Sequence, residues 1–165
     1  MKAEETGDDL FIWSYHRHSR KWFSASFGPV WTSGLELSTY QYGASVSRHY
    51  EMSGCKELRI RGGTAFSGSG DARYLGGSLG GALLLGQEDI APVLGAEFGG
   101  AMVYSKRMRS SKKTMSGFIL AGFAGVRFFR SSDNQLELAL RYELMLPESH
   151  SALSSYCWLQ LGMLF

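Results

Sequence analysis

The chain has 165 residues, which normally form one domain, and it combines 21 glycines and a 13% aromatic share with only 19% charged residues. Its net charge of +2 is small, and its basic residues do not gather on one predicted face, which argues against nucleic-acid binding. No stretch reaches the roughly 18 consecutive apolar residues that a membrane-spanning helix requires.

Residues 1–20 form a polar segment that contains histidine and arginine and one apolar run at residues 10–13. We expect a partly ordered arm here, with a short interfacial helix or a plug inside the fold as the alternative. The first five residues, from Met1 to Glu5, are acidic and lack the apolar core of a signal peptide. If the protein is exported, we therefore expect that its signal peptide has already been removed from this sequence.

From Trp22 onward, eight segments alternate between apolar side chains and small or polar ones, which is the period of a β-strand. The seventh segment is the clearest, because apolar side chains occupy every second position from 136 to 144. The predicted strands are residues 22–31, 39–47, 57–64, 73–85, 93–104, 118–128, 136–144 and 157–165. Turn-forming or polar residues predict connections at 32–34, 51–55, 67–71, 86–89, 105–113, 131–134 and 147–152.

No element can follow the last strand, because it ends at the chain terminus. Its neighbour in the sheet must therefore be a strand that comes earlier in the sequence. Pairing with the first strand would close the sheet into a barrel. Its apolar positions end on an aromatic residue, and the ending resembles the C-terminal signature of bacterial outer-membrane β-barrels, which the insertion machinery reads. The resemblance implies that the insertion signal comprises Leu159, Leu161, Met163 and Phe165.

The resemblance, to the small OmpA/OmpX-type proteins, implies an all-β, eight-stranded, antiparallel, up-and-down transmembrane β-barrel over residues 21–165. It implies a periplasmic arm at residues 1–20 and a location in the bacterial outer membrane. The expected partners are outer-membrane lipids and lipopolysaccharide, with the barrel-assembly machinery during insertion, and the expected state is a monomer. The turns at 51–55, 86–89 and 131–134 are expected on the periplasmic side, and the loops at 67–71, 105–113 and 147–152 outside.

Eight charged residues inside the predicted strands share a face with glycine, alanine and serine. If this face lines the barrel interior, four acids and four bases would form internal ion pairs, since unpaired buried charges are costly. If it faces water, the chain would instead be a soluble, lipocalin-like cup with an apolar cavity. We favour the interior position, which predicts a lumen charge network of Glu57, Arg59, Arg61, Glu97, Arg127, Glu137, Arg141 and Glu143.

The sequence gives little support for catalysis, a cofactor or a metal site. His16 and His18 have the spacing of one strand face but no acidic or cysteine partner at ligand spacing. The run from Glu148 to Ser151 includes His150, yet it does not reproduce the strand-borne His-x-Ser arrangement of outer-membrane lipid A deacylases. Cys55 and Cys157 are expected toward opposite ends of the barrel and therefore unpaired.

One loop carries five bases in eight residues, and facing outward these would contact the phosphates of lipopolysaccharide or an anionic host polymer. They are Lys106, Arg107, Arg109, Lys112 and Lys113. The sequence thus predicts a structural or surface-interaction barrel without catalysis. A narrow passive pore, a lipid A-modifying enzyme and a soluble lipocalin-like carrier remain the alternatives.

Overall fold

The computed structural model describes residues 21–33, 39–53, 56–67, 72–86, 89–105, 114–130, 132–147 and 153–165. Eight strands form within these ranges: β1 (Lys21–Ser33), β2 (Thr39–Ser53), β3 (Lys56–Ser67), β4 (Ala72–Leu84), β5 (Ile90–Ser105), β6 (Thr114–Phe128), β7 (Gln135–Pro147) and β8 (Ser154–Leu164). Within the same ranges there is no helix long and apolar enough to cross a membrane.

The strands pair antiparallel in the order of the sequence, and β8 returns to β1, so that the sheet closes into a barrel. At one end of this seam the backbones of Phe23 and Phe165 exchange two hydrogen bonds of 2.9 Å. The predicted eight-stranded, antiparallel, up-and-down barrel, closed by the last strand on the first, is confirmed.

The seam between β1 and β8 holds one close backbone approach. Paired residues flank Gly28 and Pro29 in the same register, from Phe27 opposite Leu161 to Val30 opposite Trp158. A Cβ at Gly28 would lie only 1.7 Å from the carbonyl oxygen of Leu159. Glycine is therefore required here, and the neighbouring proline, which has no N–H, is tolerated where the ladder is interrupted.

The two ends of the barrel differ in what they carry. We call the end with Lys21 and Phe165 the terminal rim; β2 ends and β3 begins there, as do β4 and β5, and β6 and β7. At the opposite end, here called the loop rim, β1 ends and β2 begins, as do β3 and β4, β5 and β6, and β7 and β8. The predicted arm, residues 1–20, lies outside the described residues.

Side chains alternate strictly between the lumen and the outer surface, and their chemistry is the reverse of that in a soluble protein. Phe27 and Phe118 on the outside are 66% and 67% exposed, whereas Arg141 and Glu143 inside are 2% and 0% exposed. An apolar outer band around a polar interior is the arrangement of a barrel that faces lipid. The alternative of a soluble cup required the charges on the outside and the leucines inside, and it is wrong.

Several strand ends extend beyond their predicted limits. β1 continues through Ser33, where a turn was expected at 32–34, and β2 continues through Ser53, where a turn was expected at 51–55. Glu51 pairs directly with Glu57, and the register shifts between Glu51 and Ser53. The polar residues at these ends do not alternate with apolar ones, so the sequence pattern does not predict a strand there. The hydrogen-bond ladder continues nevertheless, because each of them has a neighbouring strand to pair with.

Candidate functional site

The lumen contains two groups of four charged side chains, and the first lies nearer the terminal rim. Arg59 of β3 donates both terminal nitrogens to Glu137 of β7 at 2.8 Å, and its Nε to Glu57 at 2.6 Å. Arg127 of β6 bridges the same two carboxylates, at 2.7 Å from Glu57 and 2.8 Å from Glu137. These residues form a closed ring of alternating charge, the first quartet, with no net charge.

The second quartet lies next to it, toward the loop rim. Arg141 of β7 donates to Glu97 of β5 at 2.7 Å and to Glu143 at 2.6 Å. Arg61 of β3 donates to the same oxygen of Glu143 at 3.0 Å. Two acids again match two bases, so each quartet is neutral by itself, as burial requires.

Hydroxyl groups and a glycine complete the second quartet. Ser78 donates to Glu97 at 2.5 Å, and Tyr74 donates to the second oxygen of Glu143 at 2.8 Å. Gly80 lies beside Glu97, where a Cβ would be 2.6 Å from the glutamate Cγ. Glycine at this position therefore leaves room for the inward side chain of Glu97.

Two arginines also lie over aromatic rings. The guanidinium of Arg59 is 4.5 Å from the ring centre of Phe123, and that of Arg61 is 4.9 Å from that of Trp158. Such contacts favour a desolvated cation. Nε and Nη2 of Arg61 are buried and have no hydrogen-bond partner among the described residues.

A buried chain of hydrogen bonds joins the first quartet to β1 and β2. The hydroxyl of Ser24 lies 2.8 Å from Nε2 of His49, and Nδ1 of His49 lies 2.6 Å from Glu57. The order serine, histidine, carboxylate is that of a hydrolase triad. Here all three side chains are at least nine-tenths buried, and Glu57 also accepts from two arginines.

Apolar side chains form a buried cluster at each end of the described interior. At the loop rim the rings of Tyr74, Tyr156 and Trp158 pack at 5.0 to 5.4 Å within a larger buried group, here called the loop-rim plug. At the terminal rim a smaller group comprises Ala82, Leu84, Ala91, Val93 and Phe123. Between the two groups lies a cavity of about 30 Å³, room for about two water molecules.

The structure places all eight residues of the predicted charge network inside the barrel and pairs every one of them. The residues of the predicted insertion signal lie on the outer surface of β8 or beside its end, all at least 38% exposed. Cys157 is a free, half-buried thiol. Three other sets of predicted residues lie outside the described ranges: Cys55; His16, His18 and His150; and Lys106, Arg107, Arg109, Lys112 and Lys113.

Sequence reasoning missed the uncharged members of the lumen network, Ser24, His49, Tyr74 and Ser78. The available signal was their position, since each occupies an inward-facing place in the alternation of its strand. A histidine in that position among serines could have been assigned to the lumen. Among the described residues, no three histidine, cysteine or acidic side chains come together as a metal site.

Solved structures with the same architecture identify the fold. Neisserial surface protein A (NspA) is 14% identical, with 87% of this chain and 95% of that chain covered and a TM-score of 0.74. OprG from Pseudomonas aeruginosa is 10% identical, with 90% and 97% covered and a TM-score of 0.57. Ail from Yersinia pestis, in complex with the heparin analogue sucrose octasulfate, is 17% identical, with 88% and 97% covered and a TM-score of 0.51.

The chain has the fold of the small eight-stranded outer-membrane β-barrels. No protein-family model matches the sequence, and no curated protein matches it. The location of the chain in the bacterial outer membrane stays a prediction from the sequence. At 10–17% identity the similarity shows the fold, and the role of the chain has to be argued from its own residues.

Proposed function

We propose that this outer-membrane barrel is a closed, non-catalytic membrane scaffold with a structural or surface-interaction role. The observation that carries this proposal is the filled lumen. The interior of an eight-stranded barrel is only just wide enough for side chains. Here two neutral quartets occupy its middle, and apolar groups occupy both ends of the described part.

The filled lumen argues against the narrow passive pore. A hydrated ion would have to displace arginine–carboxylate pairs that hold one another at 2.6 to 3.0 Å. The cavity between the described lumen side chains, of about 30 Å³, has room for about two waters. We expect the refolded protein to give no conductance steps in a planar bilayer that records a 16-stranded porin normally. Resolved, repeated openings of the purified barrel would contradict the proposal.

The alternative of a lipid-modifying enzyme also finds little support in the described residues. Ser24 and His49 have the contacts of a nucleophile and a base, but an ester carbonyl cannot reach Ser24 through a space that holds about two waters. Glu57 is bound by Arg59 and Arg127 and serves the first quartet. We interpret this chain of hydrogen bonds as a structural connection between the quartet and the β1–β2 wall.

Surface interaction through the basic loop is the second part of the proposal. In the sequence the five bases lie between β5, which ends at Ser105, and β6, which begins at Thr114, and both of these strand ends are at the loop rim. We propose that the bases contact lipopolysaccharide phosphates or an anionic polymer. The solved structure of Ail with sucrose octasulfate supports such a role for a barrel of this fold. Reversing the charge of all five bases should reduce binding to lipopolysaccharide in a salt-sensitive manner. Unchanged binding would remove the loop from the proposal.

A further inference from the structure

The outer surface of the barrel contains an apolar groove that starts at the terminal rim. It lies on β2, β3, β4 and β5, has a volume of about 590 Å³, and is lined on its sides by Met52, Leu58, Leu83 and Leu94. The groove exists because two small outward-facing residues, Gly81 and Ala96, pair directly with each other at its base. A groove on a lipid-facing surface is filled, because an empty one would leave its wall atoms without van der Waals partners. Water does not fill it, because the lining offers too few polar atoms for hydrogen bonds.

The groove ends beside an unpaired cation. Lys56 is the first residue of β3, is exposed, and lines the groove together with the leucines. No carboxylate pairs with Lys56 among the described residues. An ammonium group at the end of an apolar groove, at the level where a strand leaves the membrane, is complementary to a lipid with a negative headgroup and an apolar tail.

We propose that this groove is a binding site for an anionic glycerophospholipid. One acyl chain lies along Gly81 and Ala96 between the leucine walls, and the phosphate contacts the ammonium of Lys56. With the terminal rim on the periplasmic side, the lipid belongs to the inner leaflet of the outer membrane. The proposal is independent of whether the lumen conducts, and conductance records therefore do not bear on it.

A second groove on the same surface provides an internal comparison. It lies toward the loop rim on β4, β5 and β6, has a volume of about 390 Å³, and is lined by Leu75, Gly77, Gly100, Met102 and Phe118 among others. No charged side chain among the described residues lines it. Hydrocarbon fills this groove as well, but its described lining does not distinguish an anionic headgroup from a zwitterionic one.

The test uses the whole chain refolded into vesicles of equal parts phosphatidylglycerol and phosphatidylcholine. The protein is extracted in mild detergent, and native mass spectrometry counts the lipids that remain bound. A lysine beside an anionic lipid surface contributes about 1 kcal/mol, whereas the choline cation of phosphatidylcholine offsets the phosphate charge, so wild type should retain phosphatidylglycerol about fivefold more often than phosphatidylcholine. Equal retention of the two lipids by wild type would overturn the proposal.

Two variants assign the binding to the groove. Lys56→Gln should abolish the preference and leave total lipid retention nearly unchanged, whereas Lys21→Gln, which removes an exposed cation at the same rim but outside the groove, should leave the preference intact. An equal effect of both substitutions would show a general surface charge effect and overturn the site.

Filling the groove provides the second assignment. Gly81→Leu should remove the bound lipid, because a Cβ there lies 3.6 Å from its nearest neighbour, the Glu57 carbonyl oxygen, and the side chain enters the groove. Gly77→Leu is the matched control: its Cβ has the same 3.6 Å clearance, from the Arg61 carbonyl oxygen, but it fills the second groove. Ala96→Leu fills the first groove from β5 if Gly81→Leu does not refold. Lipid retention by a folded, filled variant would contradict the proposal.

Discussion

Arg59 and Glu137 face each other across the full width of the barrel. They lie on β3 and β7, four strands apart in either direction, and two parallel hydrogen bonds of 2.8 Å join the guanidinium to the carboxylate. Bidentate pairs of this kind fix orientation as well as distance. The pair therefore acts as a strut that links opposite walls through a lumen from which side chains exclude most water.

Removing one end of this strut should destabilise the barrel strongly. Glu137→Ala leaves Arg59 and Arg127 each short of a carboxylate, and an uncompensated buried charge costs about 3–5 kcal/mol of unfolding free energy. Urea unfolding in vesicles, followed by the heat-sensitive gel mobility of the folded barrel, measures this loss. The control is Glu51→Ala, which removes the pair with Arg130 nearer the terminal rim; Arg130 keeps its contact with the Gly86 carbonyl, so the loss should be smaller than for Glu137→Ala. Equal losses of unfolding free energy in the two variants would show that the lumen pair does not stabilise the barrel more than the pair of Glu51 with Arg130 does.

The serine–histidine chain should be unreactive. The Ser24 hydroxyl lies 2.8 Å from Nε2 of His49 in a buried space that admits about two waters, so a fluorophosphonate probe of serine hydrolases should not label the folded barrel. Mass spectrometry of the treated protein checks this. Ser24→Ala should lower the unfolding free energy by about 1 kcal/mol through the lost hydrogen bond. Labelling of wild type that disappears in Ser24→Ala would contradict the non-catalytic proposal.

Inward and outward glycines should differ sharply in their tolerance of a methyl group. A Cβ at Gly99 would lie 2.0 Å from the carbonyl oxygen of Gly77 and 2.7 Å from the Cα of Ser78, which are backbone atoms that cannot move aside. Gly99→Ala should therefore cost about 1–3 kcal/mol or prevent refolding. Gly122→Ala on the outer surface has nothing within 4 Å and should be neutral or slightly stabilising. The urea midpoints of the two variants, measured in the same vesicles, test this prediction, and equal midpoints would contradict it.

The alternation of the strands could be predicted because the period of two assigns each residue to a face from local sequence alone. Arg59, Glu137 and their partners were placed in the lumen in this way. Which acid meets which base could not be predicted. That depends on the stagger of strands around the closed sheet, which brings residues 78 positions apart within 2.8 Å. His49 was missed because its function depends on the same stagger, which places it between Ser24 and Glu57.

The strand ends and the surface grooves were also beyond sequence reasoning. Ser33 and Ser53 continue their ladders because a neighbouring strand is present, a tertiary effect that overrides weak local preference. The groove beside Lys56 exists because Gly81 of β4 pairs with Ala96 of β5. Only the register of these two strands shows that pairing. From the sequence alone, these small residues indicated a strand of a transmembrane barrel but not a groove on its surface.

The terminal phenylalanine should matter for insertion in cells far more than for stability. Phe165 is 53% exposed, its ring lies 5.7 Å from that of Phe23, and its backbone bonds to Phe23 do not need the side chain. Phe165→Ala should therefore retain most of its unfolding free energy in vesicles, yet insert poorly into the outer membrane if the assembly machinery reads the terminal side chain. Phe118→Ala, at 67% exposure the matched control on β6, should show the small stability effect without the insertion defect. Membrane fractionation with the gel-mobility assay measures both quantities, and normal insertion of Phe165→Ala would show that the signal does not depend on this ring.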